Sequence, residues 1–108
     1  MSPKVTLLAA AFALVAASAL EAQQPVDSTK ALYTKTCAMC HGANGTPTAM
    51  ARASRNFADS TAMASVADSA LRETVADGKG RAMPAYKARL TPAQIDALIG
   101  YIRTLSHH

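Results

Sequence analysis

Cys37-Ala38-Met39-Cys40-His41 constrains what this chain can fold into more than any other stretch. Two thiols with two residues between them, followed at once by an imidazole, form the Cys-x-x-Cys-His arrangement through which a c-type haem is attached covalently. Each thiol adds across one vinyl group of the macrocycle, and the adjacency of the vinyls sets the spacing. If the segment continues a helix, Cys37 and His41 stand at i and i+4 on one face, so a ring pinned at its edge is also met by an imidazole. Other uses of two cysteines fit less well. A redox dithiol or a structural disulfide has no need of the histidine. A zinc site needs more ligands, and the only other histidines are His107 and His108 at the end of the chain.

The rest of the chain is poor in core-forming side chains. From Gln23 onward, Leu, Ile, Val and Phe number twelve in 86 residues: Val26, Leu32, Phe57, Val66, Leu71, Val75, Leu90, Ile95, Leu98, Ile99, Ile102 and Leu105. A share this low, with high net charge, would describe a disordered chain, but the formal net charge is only +4. A covalently held porphyrin resolves the conflict, because a large flat apolar body can complete a core that the side chains alone cannot fill. Without haem the polypeptide is expected to be poorly ordered.

The chain of 108 residues fits one domain. Met1 to Lys4 ends on a positive charge, Val5 to Leu20 is an apolar and small-residue run, and Ala17-Ser18-Ala19 is a small-x-small cleavage site, with a second cut possible after Ala22. Residues 1–22 therefore read as a secretory signal peptide and 23–108 as the folded domain, placed in the periplasm. The apolar run is shorter than the roughly 18 to 20 residues that span a bilayer, so no membrane span is expected after removal of the leader.

Beyond the leader, ten Lys and Arg face six Asp and Glu. This modest surplus suits an acidic docking surface on a redox partner, since complementary charge speeds encounter, and it equally serves solubility. The basic residues are scattered and aromatics are few, which excludes nucleic acid as a partner.

Periodicity places three helices. The first is capped by Asp27 or Ser28 and runs through Leu32, Tyr33 and Thr36 into Cys37, with Tyr33, Cys37 and Cys40 at i, i+4 and i+7 and the small Ala31 free to admit a close crossing. The second runs from Ala67 or Asp68 to Asp77, buries Leu71 and Val75, and stops at Gly78. The last has Thr91 as N-cap, Pro92 at its first position, Gln94 completing a capping box and a Leu90 to Ile95 staple. Its apolar stripe is Ile95, Leu98, Ile99, Ile102 and Leu105, and its Gly100 suggests a close crossing. Tyr101 flanks the stripe and can pack on the first helix. Between them, Gly42 to Pro47 is turn-like, and Met50 to Ser65 reads as loop with a short helical turn, in which Phe57 is a core or haem-wall residue. The carbonyl of Pro47 or a neighbour is the expected acceptor for the second ring nitrogen of His41.

Gly78 to Tyr86 is the second chemical segment. Two glycines and Pro84 around Met83 give an irregular backbone that presents a thioether from a loop. Met83 is the favoured sixth ligand of the iron, since Met opposite His is the pairing that raises the potential of such haems. Met50, Met63 and an open sixth position are the alternatives; Met39, between the cysteines, is sterically unsuitable. A gap-filling Met is the structural alternative.

With Cys37 to His41, the Met83-Pro84 loop and the capped last helix, the sequence resembles the class I cytochrome c family, above all small periplasmic monohaem carriers of the c-551 or c5 kind. The resemblance spans about Asp27 to Leu105 and departs at Ala31, where the family often has Gly. It implies an all-α cytochrome c-like fold, with three to four helices around one covalently bound haem c and its iron. It further implies thioethers at Cys37 and Cys40, axial ligation by His41 and Met83, and a monomer that carries single electrons between redox partner proteins without being an enzyme. Lys79, Arg81, Lys87 and Arg89 are the expected docking charges. Two other functions stay open: a haem with an open sixth site that binds gas or peroxide, and a haem subunit of a larger oxidoreductase.

Overall fold

A computed structural model describes residues 26–106. The proposed signal peptide at 1–22, its cleavage sites, and His107 and His108 lie outside the described residues.

Helix α1 (Val26–Thr36) carries Asp27 in its first turn and Lys35 in its last, each at the end whose partial charge it complements. Thr29 and Tyr33 are its buried stripe at i and i+4, so α1 lays one narrow face on the core. Cys37 interrupts the helix by a single residue. Its amide still donates to the Tyr33 carbonyl at 2.8 Å, and α2 (Ala38–His41) continues from it. Gly42 ends α2 at φ +80°, where a Cβ would run into the Thr46 carbonyl; only glycine permits this turn.

The stretch from 50 to 65 is more ordered than its weak periodicity suggests. It holds a 3-10 turn at Ala49–Ala51 and a short α3 (Ser60–Ala64), whose N-cap Asp59 accepts from the amides of Thr61 at 2.9 Å and Ala62 at 3.2 Å. The signal available in the sequence was that capping aspartate, a local one that hydrophobic periodicity does not register. Helix α4 (Asp68–Asp77) matches its expected span, buries Leu71 and Val75, and ends at Gly78 with φ +75°. Helix α5 (Pro92–Thr104) forms the expected capping box: the Gln94 amide donates to Thr91 Oγ1 at 3.1 Å, and the Thr91 amide donates to Gln94 Oε1 at 2.8 Å. Among the described residues there is no strand, only one isolated bridge between Lys79 and Met83. The fold is all-α, with α1, α4 and α5 as the frame and two short helices between them.

Helix α5 is the hub, packing against both α1 and α4. Leu98 is fully buried on its inner face, with Ile95, Ile99, Ile102 and Leu105 beside it. The Tyr33 and Tyr101 rings meet at a centroid distance of 5.1 Å, tilted 50°, a favourable edge-biased contact. The small residues do not make the crossing. Ala31 is exposed, and the buried position at that end of α1 is Thr29, because a 3.6-residue repeat puts 29 and 33 on one face and 31 on the other. Gly100 is likewise exposed, and nothing lies within 4 Å of a Cβ built there. Arg103 ties the frame together. Its guanidinium donates to the carbonyls of Met63 at 2.7 Å and Val66 at 2.6 Å and pairs with Asp68 at 2.8 Å, fixing the α3 to α4 corner to α5.

Candidate functional site

Cys37, Cys40 and His41 come from the α1 to α2 junction, and the near-continuous helical ladder is what gathers them: the amides of Cys40 and His41 both donate to the Cys37 carbonyl, at 3.3 and 2.9 Å. Both cysteines are half-buried free thiols, open to addition to a vinyl group. Burial pushes the Cys37 thiol up to about 11. Among the described residues no group of three or more His, Cys, Asp or Glu side chains gathers to hold a metal ion directly.

The His41 ring is half-buried and stacks on Phe57, centroids 4.6 Å apart and planes 16° from parallel. Desolvation lowers its pKa, which favours the neutral imidazole that a metal requires. The expected bond to the carbonyl of Pro47 or a neighbour is not made: among the described residues His41 Nδ1 is buried without a hydrogen-bond partner. The turn that carries Pro47 is tied elsewhere, because the Thr48 amide donates to the Cys40 carbonyl at 2.9 Å and Thr48 Oγ1 to the Met39 carbonyl at 2.8 Å. The stacking on Phe57 accompanies this arrangement of the ring and the turn.

Behind the histidine stands a residue whose role the sequence did not disclose. Tyr33 is 1% exposed, and its hydroxyl donates to the carbonyl of Gly42, the residue after His41, at 2.7 Å. Burial is the largest cause of its strongly raised pKa, and the neighbouring Cys37 and Tyr101 add to it. It reads in sequence as one apolar helix position; only the fold brings its hydroxyl to the loop of the motif.

Met83 is half-buried against the core cluster. Its loop is closed by a reciprocal pair of backbone bonds: the Lys79 amide donates to the Met83 carbonyl at 2.9 Å, and the Met83 amide donates to the Lys79 carbonyl at 3.3 Å. Gly78 lets the loop fold back, since a Cβ there would lie 2.6 Å from the Met83 carbonyl oxygen. The competing methionines are occupied differently. Met63 is a core residue, 2% exposed, while Met50 and Met39 are each 70% exposed. Of the expected docking charges, Lys87 is engaged by Asp77 at 3.1 Å and Arg89 lies 5.3 Å over the Tyr86 ring.

The donor set fits a covalently attached haem. Two unpaired thiols at the right spacing, an adjacent imidazole whose neutral form burial favours, and a half-buried thioether from a separate loop are the functional groups that such a cofactor uses. The all-helical frame and this site define a c-type cytochrome domain. Comparison with known proteins agrees: the family model described as cytochrome c oxidase, cbb3-type, subunit III matches residues 24–102, and the chain belongs to that cytochrome c family. Its cofactor is accordingly covalently bound haem c.

The chain is 34% identical over 74 residues to the cbb3-type cytochrome c oxidase subunit FixP of Azorhizobium caulinodans, covering 68% of this chain and 25% of that protein. It is 30% identical over 90 residues to the subunit of the same name from Bradyrhizobium diazoefficiens, covering 82% of this chain and 31% of that protein. It thus spans about a quarter to a third of the length of these relatives. Among solved structures, the KustC0563 c-type cytochrome superposes with a TM-score of 0.70 at 31% identity, covering 73% of this chain and 98% of that one. A tyrosine mutant of the same cytochrome gives a TM-score of 0.67 at 30% identity, over 72% of this chain and 98% of that one.

Proposed function

We propose that this chain is the haem-bearing electron-transfer component of a larger oxidoreductase, working outside the cytoplasm. The observation that carries the reading is the family match over residues 24–102, with FixP subunits of cbb3-type oxidases as relatives. Cys37 and Cys40 hold the macrocycle as thioethers. His41 and Met83 would be the protein's ligands to the iron, which would supply a one-electron couple. The protein's part is to hold that couple still: Tyr33 and Gly42 fix the backbone after His41, and the Lys79 to Met83 bridge fixes the thioether loop. Such a held pair of ligands would leave little to rearrange when the iron changed oxidation state. The chain moves electrons and leaves chemistry on a substrate to other subunits. Its apolar Val5 to Leu20 run supports export to the periplasm.

A second reading, the free monomeric carrier, has one observation in its favour: the KustC0563 chain is matched over 98% of its length, so a chain of about this domain's size is a c-type cytochrome by itself. Native electrophoresis of membranes solubilised from the source cells, stained for haem and for oxidase activity, separates the two. Co-migration of this chain with oxidase activity supports the subunit; migration as a small free species in the soluble fraction overturns it in favour of the carrier.

Ligation is tested by spectra of the haem-loaded protein. The wild type is expected to be low-spin in the ferric state and to resist carbon monoxide, whereas Met83→Ala becomes high-spin and binds it. A low-spin spectrum unchanged in Met83→Ala removes Met83 as ligand, and a wild type that binds carbon monoxide readily favours the open gas- or peroxide-binding site.

A further inference from the structure

The exposed apolar bulk of this fold is unevenly placed. Among the described residues, the large hydrophobic side chains that stand mostly in solvent are Val26 at the start of α1, Met39 and Met50, the last two each 70% exposed. Met39 lies on α2 between the two attachment cysteines, and Met50 lies on the 3-10 turn Ala49–Ala51. These two short elements pack against each other. Thr48 rivets them. Its amide donates to the Cys40 carbonyl at 2.9 Å, and its hydroxyl to the carbonyls of Met39 at 2.8 Å and Cys40 at 3.2 Å, while its own carbonyl accepts from the Ala51 amide at 3.0 Å. The backbones of Met39 and Met50 are thus fixed in one corner, and the large exposed apolar groups of that corner both carry sulfur.

The other two described methionines are situated differently. Met63 is 2% exposed, inside the core cluster, and Met83 is half-buried against its edge, in the loop closed by the Lys79 bonds. Neither Met39 nor Met50 belongs to that cluster. If bulk alone were needed at these exposed positions, Leu or Ile would supply it. What a thioether adds is a soft, polarisable lone pair, and at the surface that lone pair is open to oxidants.

We infer that Met39 and Met50 form a paired site of reversible modification by peroxide, which turns the apolar corner beside the attachment motif polar while Met63 and Met83 keep their thioethers. At each residue a sulfur lone pair attacks one oxygen of hydrogen peroxide. The S–O bond forms as the O–O bond breaks, and the departing hydroxide takes the proton of the transferred oxygen and leaves as water. Sulfur loses two electrons and the peroxide gains them, so the step draws no electron from haem. Reversal takes two electrons from a dithiol, as methionine sulfoxide reductases use them: the thioether is restored, the dithiol becomes a disulfide and the oxygen leaves as water. A sulfoxide is a strong dipole that accepts hydrogen bonds, so one reagent wets both side chains at once. Because neither sulfur serves the core or the proposed axial pair, the fold and the haem couple are left as they were. The inference goes beyond the electron-transfer reading and does not depend on it.

The test treats the ferric, haem-loaded protein with hydrogen peroxide and follows oxygen uptake by tryptic mapping. Cleavage at Lys and Arg puts Met39 and Met50 together on 36–52, Met63 on 56–72 and Met83 on 82–87, and fragmentation separates the first two. Met39 and Met50 are each expected to gain one oxygen faster than Met63 or Met83, by roughly tenfold or more, with the visible spectrum unchanged. A methionine sulfoxide reductase with dithiothreitol is expected to remove both oxygens. The oxidised protein should elute earlier from a hydrophobic-interaction column, and Met39→Leu/Met50→Leu should show no such shift after peroxide. Oxidation of Met63 or Met83 at a similar rate, uptake at only one of the exposed pair, sulfoxides that the reductase leaves in place, or an equal elution shift in the double variant would each overturn the inference. So would a spectrum that changes in step with Met50 oxidation, which would assign that sulfur to the iron.

Discussion

Tyr33 shows how one side chain serves both the frame and the site. Its ring meets that of Tyr101 in a tilted contact across the α1 to α5 crossing, and its hydroxyl donates to the carbonyl of Gly42 beside His41. In Tyr33→Phe the ring contact survives and one hydrogen bond is lost. The Gly42 carbonyl keeps the Gly45 amide at 3.2 Å, so the cost is the ordinary one of about 1 kcal/mol. The pH dependence has a definite sign. The folded pKa lies above the ordinary value of 10.0, so the folded state retains a proton that the unfolded chain gives up. Stability is therefore whole below pH 10 and falls as pH rises beyond it. Denaturant titrations of the haem-loaded protein between neutral and alkaline pH should show that decline in the wild type and a smaller one in Tyr33→Phe. Equal alkaline decline in both would remove Tyr33 as its source.

At the scale of elements, the Gly78 to Tyr86 segment depends on its glycines unequally. Gly78 has φ +75°, and its Cβ position is crowded by the Met83 carbonyl at 2.6 Å and the Ala85 amide nitrogen at 2.8 Å. Gly80 also has positive φ, +58°, but nothing lies within 4 Å. Gly78→Ala should therefore push the Met83 strand of the loop away and convert part of the ferric haem-loaded protein to high spin. Gly80→Ala should cost only the backbone penalty, about 1 kcal/mol, and leave the spectrum alone. Visible spectra and thermal melts of the two variants make the comparison, and identical spectra in both would show that the close approach does not govern ligation.

At the scale of the whole molecule, the described core is a cluster built from α1, α4 and α5 together with Phe57, Met63 and Leu90, with a half-buried border. Tyr33, Leu98, Ile99 and Ile102 are at most 3% exposed, whereas Leu32, Cys37, Ala38, Val66, Met83 and Tyr86 only pack against the cluster's edge. Part of that border is Cys37 and Met83, two of the residues proposed to hold haem, which is why cofactor attachment and folding are expected to be coupled. A Cys37→Ala/Cys40→Ala chain prepared free of haem should lose far-ultraviolet helical signal and unfold with a smaller denaturant slope than the haem-loaded protein. An undiminished slope would show that the polypeptide core is sufficient by itself.

The sequence by itself determined what is local. Cys37 to His41 is covalent chemistry written in consecutive residues. The capping box at Thr91 and Gln94 is closed within one turn, and the span of α4 follows from a two-residue apolar pair ended by Gly78. It also placed nine of the twelve large aliphatic and Phe positions in the buried cluster, leaving Val26 exposed and Leu32 and Val66 at its edge. What depends on where separate elements meet was settled only by the tertiary structure: that Thr29 rather than Ala31 is a buried position of α1, that Met63 is core, that Phe57 lies on the His41 ring, and that Tyr33 reaches Gly42. The charges divide in the same way. Counting residues yields a surplus of cations, but only the packing of α4 decides which of them are neutralised by Asp68, Asp77 and Asp96, because ion pairing acts between side chains 10 to 35 positions apart.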